Sequence, residues 1–182
     1  MIPKIVFLSQ LFEVKLMKQT FERNTLRVLL VFGVIMFIKL IMKPPTKDWM
    51  LVFLFKGFIS SILDKLAVTK GKIVYPVNLF KSFDISFLFD YLLFPIACVY
   101  YNQITKTSNV AGILFKSLYF SVPMSVVEYY FETRTSLIKF RNGWNIYVSF
   151  VTLTVTFLIT RMYIMLIRKA DNSQIPTNSS NE

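Results

Sequence analysis

Residues 144–167 read WNIYVSFVTLTVTFLITRMYIMLI, and Arg161 is the only charged residue among them. A helix of roughly 17 to 25 predominantly apolar residues is long enough to cross the hydrocarbon core of a bilayer. Four further apolar blocks precede this one in the chain, at residues 26–42, 49–68, 87–103 and 110–131. The sequence therefore predicts an all-α, polytopic transmembrane helical bundle of about five spans.

The composition of the 182-residue chain agrees with this prediction. Charged residues make up only 17% and hydrophobic residues 54%, whereas roughly a quarter of the residues in a soluble domain are charged. We expect residues 1–25 to form a cytoplasmic or interfacial segment and residues 26–168 to form the transmembrane domain. Residues 169–182 are polar and are predicted to be a disordered tail.

The distribution of Lys and Arg predicts the orientation. Of the 21 basic residues, four lie well inside the apolar blocks and five lie in the first and third loops and the tail. The other twelve lie in the N-terminal segment and the second and fourth loops, when Arg27 and Lys65 at the edges of their blocks are counted with these segments. Cytoplasmic loops carry the excess of Lys and Arg. The N-terminus is therefore predicted inside and the C-terminus outside. The net charge of +11 follows from this topology, and we expect no nucleic-acid partner.

Several classes of chemistry are excluded by missing residues. The chain has no His, and Cys98 is its only cysteine. Imidazole bases, His-ligated metals, disulfides and Cys-Cys redox pairs are thus impossible within one chain. The sequence also contains no phosphate-binding glycine loop. We predict a non-enzymatic protein with no cofactor, no metal and no catalytic residues.

Ionisable residues inside the apolar blocks are the candidate functional residues, because a charge at mid-membrane costs about 2.5–3.5 kcal/mol on insertion scales. In the predicted orientation, the acids lie toward the cytoplasmic end of their helices and the bases lie in the outer half. The candidate ligand-binding residues are Lys56, Asp64, Lys116, Glu128, Glu132 and Arg161.

Helical periodicity places the polar residues of three blocks on stripes. Such stripes can be packing seams, in which small hydroxyl residues let helices approach closely. They can also line a polar cavity among the second, fourth and fifth blocks, with a basic outer end and an acidic inner end. The stripes are Lys56, Gly57, Ser60 and Asp64; Ser117, Ser121, Ser125, Glu128 and Glu132; and Asn145, Ser149, Thr152, Thr156 and Thr160.

Four segments, together with KPPTKDW at 43–49, carry a resemblance to a known family. They are YPVNLF at 75–80, FDISFLFDYLLFPIACVYYNQ at 83–103, SVPMSVVEYYFETRTSLIKF at 121–140 and NGWNIYVSFVTLTVTFL at 142–158. Across residues 43–168 the chain resembles an uncharacterised family of small multi-pass membrane proteins from endospore-forming Gram-positive bacteria. The resemblance implies a bacterial plasma-membrane protein and implies no activity.

Three functions remain open from the sequence. The first is binding of an anionic lipid headgroup or of partner helices through the intramembrane polar faces, with Lys56, Lys116 and Arg161 as phosphate partners. The second is ion- or proton-coupled transport, with Asp64, Glu128 and Glu132 as carriers and with a homo-oligomer to supply enough helices. The third is an intramembrane hydrolase that uses Asp64 and Asp90 as a carboxyl pair.

Overall fold

The computed structural model describes residues 4–80 and 86–174. It confirms the all-helical class. A π-helical turn at Phe89–Leu93 leads directly into the third α-helix, and two short strands lie in the loops. The helices are α1 (Lys4–Ile41), α2 (Thr46–Thr69), α3 (Phe94–Ile104), α4 (Val110–Arg134) and α5 (Ile146–Gln174), and the strands are β1 (Ile73–Val74) and β2 (Lys139–Phe140).

Three of the described helices are long and apolar enough to cross a membrane: Leu16–Ile41, Val110–Arg134 and Ile146–Ser173. The protein is therefore compatible with a membrane location. The second and third predicted spans are not among these three helices, and the reasons are the charge of one and the length of the other. Helix α2 has 24 residues but includes the charged residues Lys47, Asp48, Lys56, Asp64 and Lys65. Helix α3 itself has only 11 residues, fewer than a bilayer requires, although the helical backbone runs without a break from residue 87 through the π-helical turn to residue 104.

The predicted boundaries at both termini fall within helices. Helix α1 passes through residue 25 without interruption, and its apolar part begins at Leu16. Helix α5 continues through residue 169 to Gln174. The rest of the predicted disordered tail, residues 175–182, lies outside the described residues.

Contacts near the helix termini and in the loops define two ends of the bundle. At the strand end, formed by residues 70–77 and 135–144, β1 pairs antiparallel with β2, and Ile73 lies opposite Phe140. The carboxylate of Glu22 on α1 accepts a hydrogen bond there from the backbone N–H of Ser136 at 2.6 Å. At the arginine end, where α2 begins and α5 nears its C-terminus, Arg168 Nε donates to Asp48 Oδ2 at 2.6 Å. The two ends position separate groups of polar side chains.

Helix α4 packs mainly against α5 through small residues. Its buried side chains are Ser117, Ser121 and Ser125, and the hydroxyl of Ser121 donates to the carbonyl of Ser117 one turn earlier. Small residues permit close approach of membrane helices. This part of the α4 stripe is thus a packing seam, and only Glu128, farther along the helix, reaches the cavity described next.

Candidate ligand-binding site

A polar cavity of about 90 Å³ lies beneath the strand end of the bundle, between α2, α4 and α5. One buried water needs only about 10–15 Å³ of such space, so the cavity has room for several waters or a small polar group. We call it the polar cavity. Its polar lining residues are Lys56, Ser60, Asp64, Tyr75, Asp90, Glu128, Trp144, Ser149, Thr152 and Thr156.

Two aspartates meet at one wall of the polar cavity. The carboxyl groups of Asp64 and Asp90 lie within hydrogen-bonding reach of each other. The hydroxyl of Tyr75 donates to Asp64 Oδ1 at 2.7 Å. One oxygen of each carboxyl group, Oδ2 in both cases, is buried and has no donor within the described residues. This wall therefore offers hydrogen-bond acceptors to a ligand.

The π-helical turn positions Asp90. Pro95 follows this turn directly in the first turn of α3, and proline has no backbone N–H to donate to the preceding turn. The backbone is widened over Phe89–Leu93, which contains Asp90. Single π turns of this kind occur frequently at functional sites. Across the interface, α2 presents the buried Gly57 to Tyr91 and Pro95.

Glu128 occupies the opposite wall and is held by a short hydrogen-bonded chain. The indole Nε1–H of Trp144 donates to the hydroxyl of Ser149 at 2.9 Å. The Ser149 hydroxyl in turn hydrogen-bonds with the Glu128 carboxylate. Because the indole is only a donor, the Ser149 proton is directed toward the carboxylate. These hydrogen bonds fix the Glu128 side chain of α4 relative to the Ser149 side chain of α5.

Among the residues that the structure describes, Lys56 is the single base that lines the polar cavity, and it is 5% exposed. Its ammonium group lies 5.2 Å from the centre of the Phe94 ring, a cation–π distance. The charges of Asp90, Glu128 and Asp64 all act on it. One ammonium group faces three carboxyl groups, so the lining carries an excess of acid.

A second, mostly apolar cavity of about 210 Å³ lies between α2 and α5 and shares Lys56, Leu63, Thr152 and Thr156 with the polar cavity. We call it the apolar crevice. It extends away from the strand end, and four of its lining residues are exposed on the surface of the bundle. They are Leu63, Val151, Val155 and Ile159. The apolar crevice therefore opens where acyl chains would surround a membrane-embedded bundle.

Tyr75 lies in the loop after β1, outside the helices. Burial raises the pKa of its phenol well above the ordinary value, and the neighbouring Asp64 carboxylate raises it further. The phenol consequently stays protonated at neutral pH and remains a donor to Asp64. Tyr75 and Trp144 were not among the sequence-predicted site residues. Their roles depend on the loop pairing at the strand end, which no local pattern indicates.

The structure places three of the six predicted site residues in the polar cavity and three outside it. Lys56, Asp64 and Glu128 line the polar cavity together. Lys116 Nζ donates to the carbonyl of Ile104 and to the hydroxyl of Ser108, both at 2.8 Å, and thereby caps α3. The other two also lie apart from the cavity. Arg161 donates to the carbonyl of Lys106 at 3.2 Å. The backbone carbonyl of Glu132 accepts a hydrogen bond from Lys139.

Among the described residues, no three His, Cys, Asp or Glu side chains converge closely enough to hold a metal ion. In comparisons with known proteins, the chain matches no protein-family model, no curated protein and no solved structure.

Proposed function

We propose that this chain is a non-enzymatic, multi-pass plasma-membrane protein that binds the headgroup of a zwitterionic phospholipid. The observation that carries the proposal is the place of Lys56 between two chemically different cavities. Lys56 lines both the apolar crevice and the polar cavity, whereas the carboxyl groups line only the polar cavity, so the crevice, the ammonium group and the carboxyl groups adjoin one another in that order. An ethanolamine phospholipid presents acyl chains, phosphate and ammonium in the same order.

Each part of such a lipid has a partner of suitable chemistry. The ammonium of Lys56 would donate to the phosphate, and charge-assisted hydrogen bonds of this kind are the stronger ones. The terminal ammonium would donate to Asp64 Oδ2 and Asp90 Oδ2, which lack donors within the described residues. Acyl chains would lie in the apolar crevice. The two cavities together reach the lower end of the volumes usual for small-molecule sites, roughly 300 Å³.

The proposal includes five membrane crossings with the N-terminus inside. The loop pairing β1–β2 and the contact of Arg168 with Asp48 support alternation of the loops between two sides. Helix α2 alone is too charged to insert easily, but Lys56 and Asp64 are buried against neighbouring helices. The resemblance to small membrane proteins of Gram-positive bacteria supports a bacterial plasma membrane, whose inner leaflet would contact the strand end.

Cysteine labelling tests this topology, because Cys98 is the only native cysteine and is buried. In intact cells we expect a membrane-impermeant maleimide to label Thr107→Cys, whereas Arg141→Cys should react only after permeabilisation. Both side chains are exposed. Reaction of both positions from the same side would contradict five crossings, and the reversed pattern would contradict the orientation.

Lipid competition tests the binding function. The purified protein would be exchanged into mixed micelles that contain equal amounts of phosphatidylethanolamine and phosphatidylglycerol, and bound lipid would be identified by native mass spectrometry. We expect retention of phosphatidylethanolamine at least about tenfold above phosphatidylglycerol, which corresponds to about 1.4 kcal/mol. Equal retention of the two lipids would contradict recognition of the ammonium group.

The contact between Asp64 and Asp90 favours a second candidate, ion- or proton-coupled transport. Two carboxyl groups in contact can share one proton, and ionisable residues inside membranes often form proton relays. Transport would require a homo-oligomer, because five helices are few for a complete carrier. In this case the acids would carry the ion, and bound lipid would not depend on them.

A further inference from the structure

The arginine end holds a group of buried N–H donors that is separate from the polar cavity. Five such atoms have no hydrogen-bond acceptor within the described residues: Trp49 Nε1, Gln103 Nε2, Arg161 Nε, Arg161 Nη1 and Arg168 Nη2. All five are donors. Near the strand end, by contrast, the buried atoms that have no partner within the described residues are carboxylate oxygens of Glu22, Asp64 and Asp90. One buried acceptor at the arginine end, Asn102 Oδ1, also has no partner within the described residues, so the unpartnered donors outnumber the unpartnered acceptors five to one.

Contacts bring these donors to one region. The guanidinium of Arg168 lies 5.5 Å from the ring of Trp49. Arg161 lies two helical turns earlier on α5, close enough for the charges of the two guanidinium groups to act on each other. It donates to the carbonyl of Lys106, which follows the last turn of α3, where Gln103 lies.

The charges in this region are also unbalanced. Arg161 is 4% exposed and Trp49 is 2% exposed, so neither relies on bulk water. Asp48 is the only acid with an ion pair here among the described residues, and it binds Arg168 through Nε. Water could accept hydrogen bonds from these donors but would not balance the positive charge that remains after Asp48 pairs with Arg168. An anion with several acceptor oxygens would do both.

We propose that the arginine end binds a phosphate group, held by Arg161 and Arg168 and by the N–H groups of Trp49 and Gln103. Guanidinium groups match phosphate geometry through paired N–H donors. The phosphate belongs either to the headgroup of an anionic lipid or to a free phosphate ion. This site does not depend on the polar cavity.

Fluorescence of Trp49 tests this site, because Trp49 and Trp144 are the only two tryptophans. In the Trp144→Phe protein, Trp49 is the single reporter. Delipidated protein would be titrated with short-chain phosphatidylglycerol and, separately, with inorganic phosphate. We expect a saturable fluorescence change with phosphatidylglycerol. A matching change with inorganic phosphate would identify the free ion as sufficient, and its absence would identify the lipid headgroup.

Variants locate the binding. We expect Arg161→Gln to weaken the response at least about tenfold, while Lys169→Gln, at an exposed position next to Arg168, changes it less than about twofold. Lys56→Met should leave the response intact, which separates this site from the polar cavity. If Arg161→Gln does not fold, Arg168→Gln provides the same test. Unchanged affinity in a folded arginine variant, or no saturable response to either titrant, would overturn the proposal.

Discussion

In protein that carries Arg161→Gln, which removes the proposed phosphate site at the arginine end, replacing Lys56 with Met is expected to weaken retention of both phosphatidylethanolamine and phosphatidylglycerol at least about tenfold. Among the described residues, Lys56 is the only base in the lining of the polar cavity, and it lies at the junction with the apolar crevice. A hydrogen bond to a charged group contributes about 1.5–3 kcal/mol, and Met has a similar length but no donor. Native mass spectrometry of the protein in mixed micelles would measure the loss.

Two matched variants separate lost binding from lost folding. Lys70→Met removes an exposed base just after α2 and should retain lipid as the wild type does. Removal of one partner from a buried charge pair can cost about 3–5 kcal/mol of stability. The double variant Lys56→Met with Asp64→Asn removes one charge of each sign and, in the same Arg161→Gln protein, should fold while still failing to retain phosphatidylglycerol. Normal retention by a folded Lys56→Met protein would refute the role of Lys56.

The sequence predicted those features that depend on local pattern. The apolar run at 144–167 and the serines at 117, 121 and 125 specify helices and the faces that those helices bury, because helical periodicity relates position directly to face. Lys56, Asp64 and Glu128 were identified as candidates for the same reason. Three of the six candidate residues consequently line one cavity.

Other features depend on contacts between distant segments, and the sequence alone did not indicate them. Tyr75 reaches Asp64 from a loop whose path is fixed by pairing of β1 with β2. Asp90 is positioned by a π turn, and the 3.6-residue period assumes a regular α-helix. Glu22 lies in a segment predicted to be interfacial, yet it is buried against Ser136. In each case a tertiary contact determines the role of the side chain.

The polar groups of the two ends differ in chemical character, and this difference limits the possible ligands. Among the described residues, the unpartnered buried atoms near the strand end are carboxylate acceptors, and those at the arginine end are donors apart from Asn102 Oδ1. A simple anion would be repelled by the carboxyl groups of the polar cavity, although Lys56 is present there. A headgroup that combines a phosphate with an ammonium group satisfies both signs of charge, and this is why we favour a zwitterionic lipid in the polar cavity.

The double variant Asp64→Asn with Glu128→Gln is expected to abolish the preference for phosphatidylethanolamine over phosphatidylglycerol. The ratio of retained lipids should fall from at least about tenfold to near one, because amides no longer attract the ammonium group while Lys56 still binds phosphate. Asp90 remains to balance Lys56, so the buried charges stay paired. Competition in mixed micelles, followed by native mass spectrometry, gives the ratio when the parent and the double variant both carry Arg161→Gln, because lipid at the arginine end then does not contribute.

Glu132→Gln is the matched control, since Glu132 lies one turn from Glu128 on the same helix but does not line the polar cavity. It should keep the wild-type preference. Proton flux in liposomes distinguishes the second candidate function: flux that the wild type supports and the double variant loses, with the lipid ratio unchanged, would favour transport over headgroup binding. A changed ratio without flux in either protein would instead assign the carboxyl groups to recognition of the ammonium group.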